Sequence, residues 1–244
     1  MAQRRYTLAE AVRSYLGEKL QEELRGEWGA AVFFRPPSLL LTPVCLNLGI
    51  GPMAVTLASL VVVLALPWLA FWGGPQGYLY VGLAGAVIGV LDCLDGSMAR
   101  VAERTGRMGH YADFLVGVLD RVLGYLAIGM VVAFEAGPGG GWFTGHAVAL
   151  ALAAALAAVM ARLSRQFAAA WPDTDSPKRS GAHSPAARLA EAIFPVISGL
   201  DQIWPLFVLL FGALGGLHWF LAWLIFYSAL DFLHTQVTVL ARLR

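Results

Sequence analysis

The chain has 244 residues, of which 58% are hydrophobic and only 14% charged, and its formal net charge is +1. A soluble domain carries roughly 25% charged residues. Composition and long apolar runs therefore exclude an ordinary soluble globular protein and indicate an all-α, polytopic membrane protein.

At the N-terminus, Leu8, Val12, Tyr15, Leu16, Leu20 and Leu24 recur at roughly helical spacing. This pattern predicts an amphipathic helix, either lying on the cytoplasmic membrane surface or packed on the protein. Residues 1–30 mix charged and apolar positions, so no cleavable signal peptide is expected. Residues 1–34 are read as a cytoplasmic or interfacial segment and residues 35–244 as a six-helix membrane domain. The six predicted spans are 53–73, 77–98, 110–134, 142–166, 195–214 and 218–239. "GGPQG" and "EAGPGGG" are tight turns rich in helix-stopping residues. The Ala-rich fourth span lets its backbone approach a neighbour closely, within the protomer or across a dimer. The polar stretch 171–185 is a loop whose Lys178 and Arg179 are read as solvated charges. Cys45 and Cys93 face a reducing compartment, so no disulfide is expected. Trp68, Trp72, Trp142 and Trp219 fit interfacial belts.

Basic residues set the orientation. All 17 lie in the N-terminal segment, the 100–107 linker, the 162–188 region or the C-terminus, apart from Arg121. The opposite connections contain none, so both termini and the longer polar loops are expected in the cytoplasm of a multi-pass cell-membrane protein. Charge clusters at one membrane face rather than along a path through it, which disfavours a transporter. No nucleic-acid partner is expected.

Three aspartates, Asp92, Asp95 and Asp113, sit in apolar surroundings, where an unpaired carboxylate costs roughly 2.5–3.5 kcal/mol even on a lenient insertion scale. Asp92 and Asp95 are three residues apart and share a helix face near its end. Gly106 and Gly109 are expected to help the chain reverse, and Asp113 lies about one turn into the next helix. An antiparallel pair can then aim three carboxylates into one pocket. Such crowding calls for a cation, and hard oxygen donors suit Mg²⁺, Mn²⁺ or Ca²⁺. Arg100, Arg104 and Arg107 border the same place and suit a phosphate-bearing ligand.

The run from Asp92 to Asp113 resembles the signature of the CDP-alcohol phosphotransferases, D-x2-D-G-x2-A-R-x8-G-x3-D-x3-D. Asp92, Asp95, Gly96, Ala99, Arg100, Gly109 and Asp113 stand at the required spacings. The six-span layout, the N-terminal surface helix and the entry into the first span, with Pro52 and Thr56, are similar to that family as well. The resemblance implies transfer of a substituted phosphate from a CDP-linked donor, such as CDP-diacylglycerol, to the hydroxyl of a small or lipid alcohol, releasing CMP. It implies that Asp92, Asp95 and Asp113 hold a pair of divalent ions, Mg²⁺ or Mn²⁺. Thr56, Gly96, Ala99, Arg100 and Gly109 would bind the nucleotide. Membrane lipids and a second copy of the chain are the implied partners.

Two positions depart from the pattern. The family's last aspartate, a metal ligand and proposed general base, corresponds to Gly117 here, and Met53 replaces a frequent asparagine. Glycine can neither ligate metal through a side chain nor accept a proton. Asp120 is a candidate displaced base: it faces nearly the same way as position 117, roughly 4.5 Å further along the helix, and a π-bulge could bring it back. The alternative is that Asp120 is neutralised by Arg121 or another buried partner. His110, beside Gly109, could act as base or phosphate donor, or serve only in capping and packing. Arg162 and Arg165 could hold the phosphate of the acceptor or of a lipid, or be cytoplasmic anchors. Asp201 and Asp231 are expected to pair with Arg121 or with a Trp or Tyr donor. A catalytically silent or chemically diverged homologue, binding nucleotide or lipid in the same pocket, is the alternative function.

Overall fold

A computed structural model describes residues 5–26, 28–170 and 199–242. The polar 171–185 loop, with Lys178 and Arg179, and the first residues of the predicted fifth span lie outside the described residues.

The N-terminal amphipathic pattern folds as two helices, α1 (Leu8–Tyr15) and α2 (Glu18–Gly26), rather than one. The break falls at Leu16–Gly17, where glycine weakens the helix. Thr7 starts α1 with a capping box: its backbone N–H donates to Glu10 Oε2 at 2.8 Å, and its hydroxyl accepts the Glu10 N–H. Ala11 and Tyr15 are buried against Leu39, Leu46, Leu94 and Met98, so α1 packs on the protein. Leu8, Leu16 and Leu24 remain exposed on the outer side.

A π-helical turn, Ala30–Phe34, leads into α3 (Arg35–Asn47). This helix was not foreseen as a separate element. Its two prolines at the start occupy a turn where a backbone N–H has no helical acceptor anyway. Next come α4 (Pro52–Gly73) and α5 (Gly77–Val101), joined at Gly74 with φ 53°. Then α6 (Arg107–Ala136) ends at Gly137, φ 58°. Both turns place glycine where L side chains are strained. The fourth predicted span divides into a short α7 (Trp142–Gly145) and α8 (Ala147–Ala170). The described chain ends with α9 (Trp204–Ala213) and α10 (Leu217–Arg242).

Four stretches are long and apolar enough to cross a membrane: Pro52–Val101, Arg107–Gly139, Ala147–Ala170 and Leu217–Ala241. The first contains both α4 and α5, and α9 is a shorter apolar helix. The described residues form no strand, so the fold is all-helical and membrane-embedded.

The principal core joins α4, α5, α6, α8, α9 and α10 through residues such as Leu66, Ile88, Ile128, Ala151, Val208 and Leu224. The alanines of α8 serve contact within the protomer. A Cβ at Gly129 on α6 would lie 2.7 Å from the Ala151 Cβ, below normal contact. Gly129→Val is therefore expected to destabilise the protein by about 1–3 kcal/mol through overpacking. Thermal unfolding in detergent should show a lower midpoint, whereas Gly145→Ala, with open space around it, should leave it nearly unchanged.

Candidate functional site

The end of α5, the start of α6 and the inner faces of α4, α8 and α10 border a cavity of about 1140 Å³. Of the residues singled out from the sequence, Thr56, Asp92, Asp95, Gly96, Ala99, Arg100, Arg104, Gly109, His110, Asp113, Asp120, Arg162 and Arg165 line it, whereas Arg107 does not. Met53 and Gly117 line it too.

The reversal between α5 and α6 differs from expectation. Gly106 is extended, φ −164°, a conformation open to any residue, and the left-handed position is Glu103, φ 53°. The turn is held by the Arg104 N–H donating to the Ala99 carbonyl at 2.9 Å. The chain thereby returns with α6 beside the last turns of α5.

The aspartates differ in their surroundings. Asp95 is buried, and its Oδ2 accepts a 2.6 Å hydrogen bond from the Thr56 hydroxyl. Asp92 and Asp113 are exposed to the cavity. They are hydrogen-bonded to each other, and Asp92 also lies in the electrostatic field of Asp95 and Asp120. Among the described residues, no three His, Cys, Asp or Glu side chains converge as a ready metal-binding group. The donor chemistry nonetheless fits one hard divalent ion. Asp92 and Asp113 both open onto the cavity, and their carboxylate oxygens are hard donors of the kind such an ion takes.

Gly109 has open space where a Cβ would be, and Gly96 would meet only Arg100, at 3.5 Å. These positions leave bare backbone at the cavity wall. Arg100 donates to Ser97 Oγ at 3.3 Å, and its buried Nε has no partner among the described residues. His110 is exposed at the mouth.

Deeper in the cavity, α6 is α-helical across Arg107–Ala136, so no π-bulge returns Asp120 towards position 117. Asp120 is hydrogen-bonded to Trp204, while its buried Oδ1 has no partner among the described residues. Arg121 instead forms an ion pair with Asp201 and lies 3.4 Å from the Tyr125 hydroxyl. Asp231 is paired with Arg165 at 2.7 Å, and Arg165 also donates to Thr235 at 2.7 Å. Both buried aspartates of α10 and the segment before α9 thus have cationic partners, as their cost in an apolar setting requires.

Arg162 is different. It has no hydrogen bond or ion pair within the described residues, and its guanidinium lies over the Phe114 ring, 5.0 Å from the centroid. A Cβ at Gly117 would come within 2.8 Å of Arg162 Nη1. The arginine fills the volume that a side chain at position 117 would take.

Two features were missed from the sequence. Glu23 and Arg35 form a buried ion pair beside the cavity, and Arg35 also donates to the Cys93 carbonyl at 2.6 Å and to Ser97 Oγ at 3.0 Å. Glu23 follows the polar pattern of a surface helix, so nothing local announces its burial. Trp204 is buried at 7% exposure, unlike the exposed Trp68, Trp72, Trp142 and Trp219. Its position immediately before Pro205, at a helix start, was the available signal.

An all-helical membrane-embedded chain with an acidic, arginine-bordered cavity has the makings of a phosphotransferase. The chain belongs to the CDP-alcohol phosphatidyltransferase family, whose family model matches residues 50–224. Membership supports a membrane phosphotransferase of phospholipid biosynthesis acting on CDP-alcohol substrates. No individual curated protein matches the chain.

Proposed function

We propose that the protein transfers a substituted phosphate from a CDP-alcohol, such as CDP-diacylglycerol, to the hydroxyl of a small or lipid alcohol. The observation that supports this reading is that Asp92, Asp95 and Asp113 line the same cavity as the unobstructed backbone of Gly96 and Gly109. In the reaction the acceptor oxygen forms a bond to the phosphorus that bears the alcohol. The bond from that phosphorus to the CMP oxygen breaks, CMP leaves with the electron pair, and the hydroxyl proton passes to a base.

Asp92, Asp95 and Asp113 would hold Mg²⁺ or Mn²⁺, which supplies neutralisation of the diphosphate and of the charge developing on CMP. Thr56 fixes Asp95 by its hydrogen bond. Gly96, Ala99 and Gly109 admit the nucleotide to the backbone, and Arg100 offers a cation beside it. Arg162 and Arg165 face the acceptor side. Residues 1–34 form an interfacial segment on a six-span membrane domain, with both termini and the cavity mouth on the cytoplasmic side, in keeping with the basic-residue distribution.

Asp120 is the proton acceptor in this reading, because its unpartnered Oδ1 is the remaining carboxylate oxygen on the α6 wall beyond Asp113. Asp120→Asn is expected to lower turnover about 10²-fold or more, with CDP affinity nearly unchanged. Unchanged turnover would end that role.

The reading is tested by incubating purified protein with Mn²⁺, labelled CDP-diacylglycerol and a panel of alcohols, and measuring CMP. A second reading, binding without turnover, is favoured by the occupation of the space at Gly117 by a cation. Tight CDP binding with no CMP from any acceptor selects it; absence of CDP binding defeats both.

A further inference from the structure

We propose that Arg162 is a built-in phosphate-binding cation that takes the place of a second metal ion, so that the site works with one divalent ion and one guanidinium. This rests on the CDP-alcohol reading above and on the resemblance that aligns Gly117 with the family's fourth aspartate.

Three observations on α6 and α8 lead to it. The first is steric: the Arg162 guanidinium lies where the position-117 side chain would project, with Nη1 2.8 Å and Nη2 3.2 Å from an ideal Cβ. Glycine at 117 leaves that volume to the guanidinium, which would have to shift to admit a side chain there. The second is that, among the described residues, Arg162 makes no hydrogen bond or ion pair. Neighbouring Arg121 and Arg165 are each committed to an aspartate, Asp201 and Asp231. Arg162 stacks on the Phe114 ring and lines the cavity half-buried. An uncommitted guanidinium fixed on an aromatic face is pre-organised for a phosphate, which it can meet with two parallel N–H donors.

The third is charge. Asp113 and Asp92 lie in the electrostatic field of Arg162. Four carboxylates are matched by two divalent ions. Three carboxylates and a guanidinium are matched by one, leaving the same net charge for the incoming diphosphate. Asp120 does not restore the fourth ligand, because it is hydrogen-bonded to Trp204 further along the helix. The exchange replaces a diffusible ion with a donor carried covalently on α8.

The test counts ions rather than turnover. Full-length protein in detergent is titrated with Mn²⁺ in the presence of CDP, following loss of the free Mn²⁺ resonance signal. CDP affinity is measured alongside. The wild-type chain is expected to bind one Mn²⁺. Arg162→Gln should weaken CDP binding about tenfold or more, and Arg162→Lys should recover part of it. The double variant Gly117→Asp/Arg162→Ala should bind two Mn²⁺, with thermal midpoints confirming that each variant is folded. Two Mn²⁺ bound by the wild type, or unchanged CDP affinity in folded Arg162→Gln, would overturn the role of Arg162 while leaving the CDP-alcohol reading in place. A wild type that binds neither Mn²⁺ nor CDP would overturn that reading, and this inference with it.

Discussion

Asp92→Asn is expected to reduce CMP release by about 10³-fold or more while leaving the thermal midpoint close to that of the wild type. The side chain faces the cavity and is hydrogen-bonded to Asp113, so an amide of the same shape can keep that contact by donating to the carboxylate. What it loses is the negative charge, and with it the capacity to act as an anionic ligand for a hard cation. The packing around it stays, since neighbouring Cys93 and Leu94 supply the buried apolar side chains on that turn of α5. A fall in activity with an intact midpoint separates this residue from Asp95, which is buried and held by Thr56. Asp95→Asn should therefore lose both activity and stability. Activity of Asp92→Asn within a few-fold of wild type would show that α5 does not carry the ion.

The Arg162 placement changes what Gly117→Asp alone should do. From the sequence, restoring the family residue is the obvious way to gain turnover. In the structure the new carboxylate would meet the Arg162 guanidinium, the flexible end of a side chain, and pair with it. Gain of a second ion then requires moving the arginine as well.

That difference marks where the sequence is legible and where it is not. The first three apolar helices were readable because a bilayer demands long apolar helices, and α4, α5 and α6 start and stop within a few residues of the predicted limits. The described residues contain four stretches long and apolar enough to cross a membrane rather than six. Motif spacing on two consecutive helices was enough to bring Asp92, Asp95 and Asp113 to the lining of one cavity, but not to show how closely their carboxylates approach. The N-terminal helix was half legible: its apolar stripe is real, but Gly17 splits it and α1 packs on α3 and α5. What could not be read were pairings between helices far apart in the chain. Asp201 with Arg121 and Asp231 with Arg165 are separated by 80 and 66 residues. The expectation of a cationic partner followed from the cost of burial, but for Asp231 the partner turned out to be Arg165. The sequence likewise offers no measure of the space beside Gly117.

The largest effect on stability is expected from Glu23→Ala, which should cost about 3–5 kcal/mol. Glu23 is 1% exposed and Arg35 6% exposed, so the pair is removed from water almost completely. Glu23 Oε2 also accepts from Arg35 Nε at 3.2 Å and from the Tyr15 hydroxyl at 3.0 Å. Removing the carboxylate leaves the guanidinium buried, with only the Cys93 carbonyl, the Ser97 hydroxyl and the face of Tyr15 for company. The same group ties α2 to the end of α5, so the damage should reach the site as weaker CDP binding. If the cost comes from the uncompensated charge, Glu23→Leu/Arg35→Met should recover much of the stability lost in Glu23→Ala. Alkaline pH probes the same cluster from another side. Burial, reinforced by the Glu23 carboxylate, pushes the Tyr15 hydroxyl up from 10.0 to about 12. A raised pKa favours the neutral phenol in the folded state. Its stabilisation is therefore complete below pH about 10 and lost as pH climbs towards about 12. Thermal midpoints measured across that window should fall more steeply in the wild type than in Tyr15→Phe. Equal slopes, or a Glu23→Ala midpoint matching wild type, would mean that this buried cluster does not hold the N-terminal helices to the membrane domain.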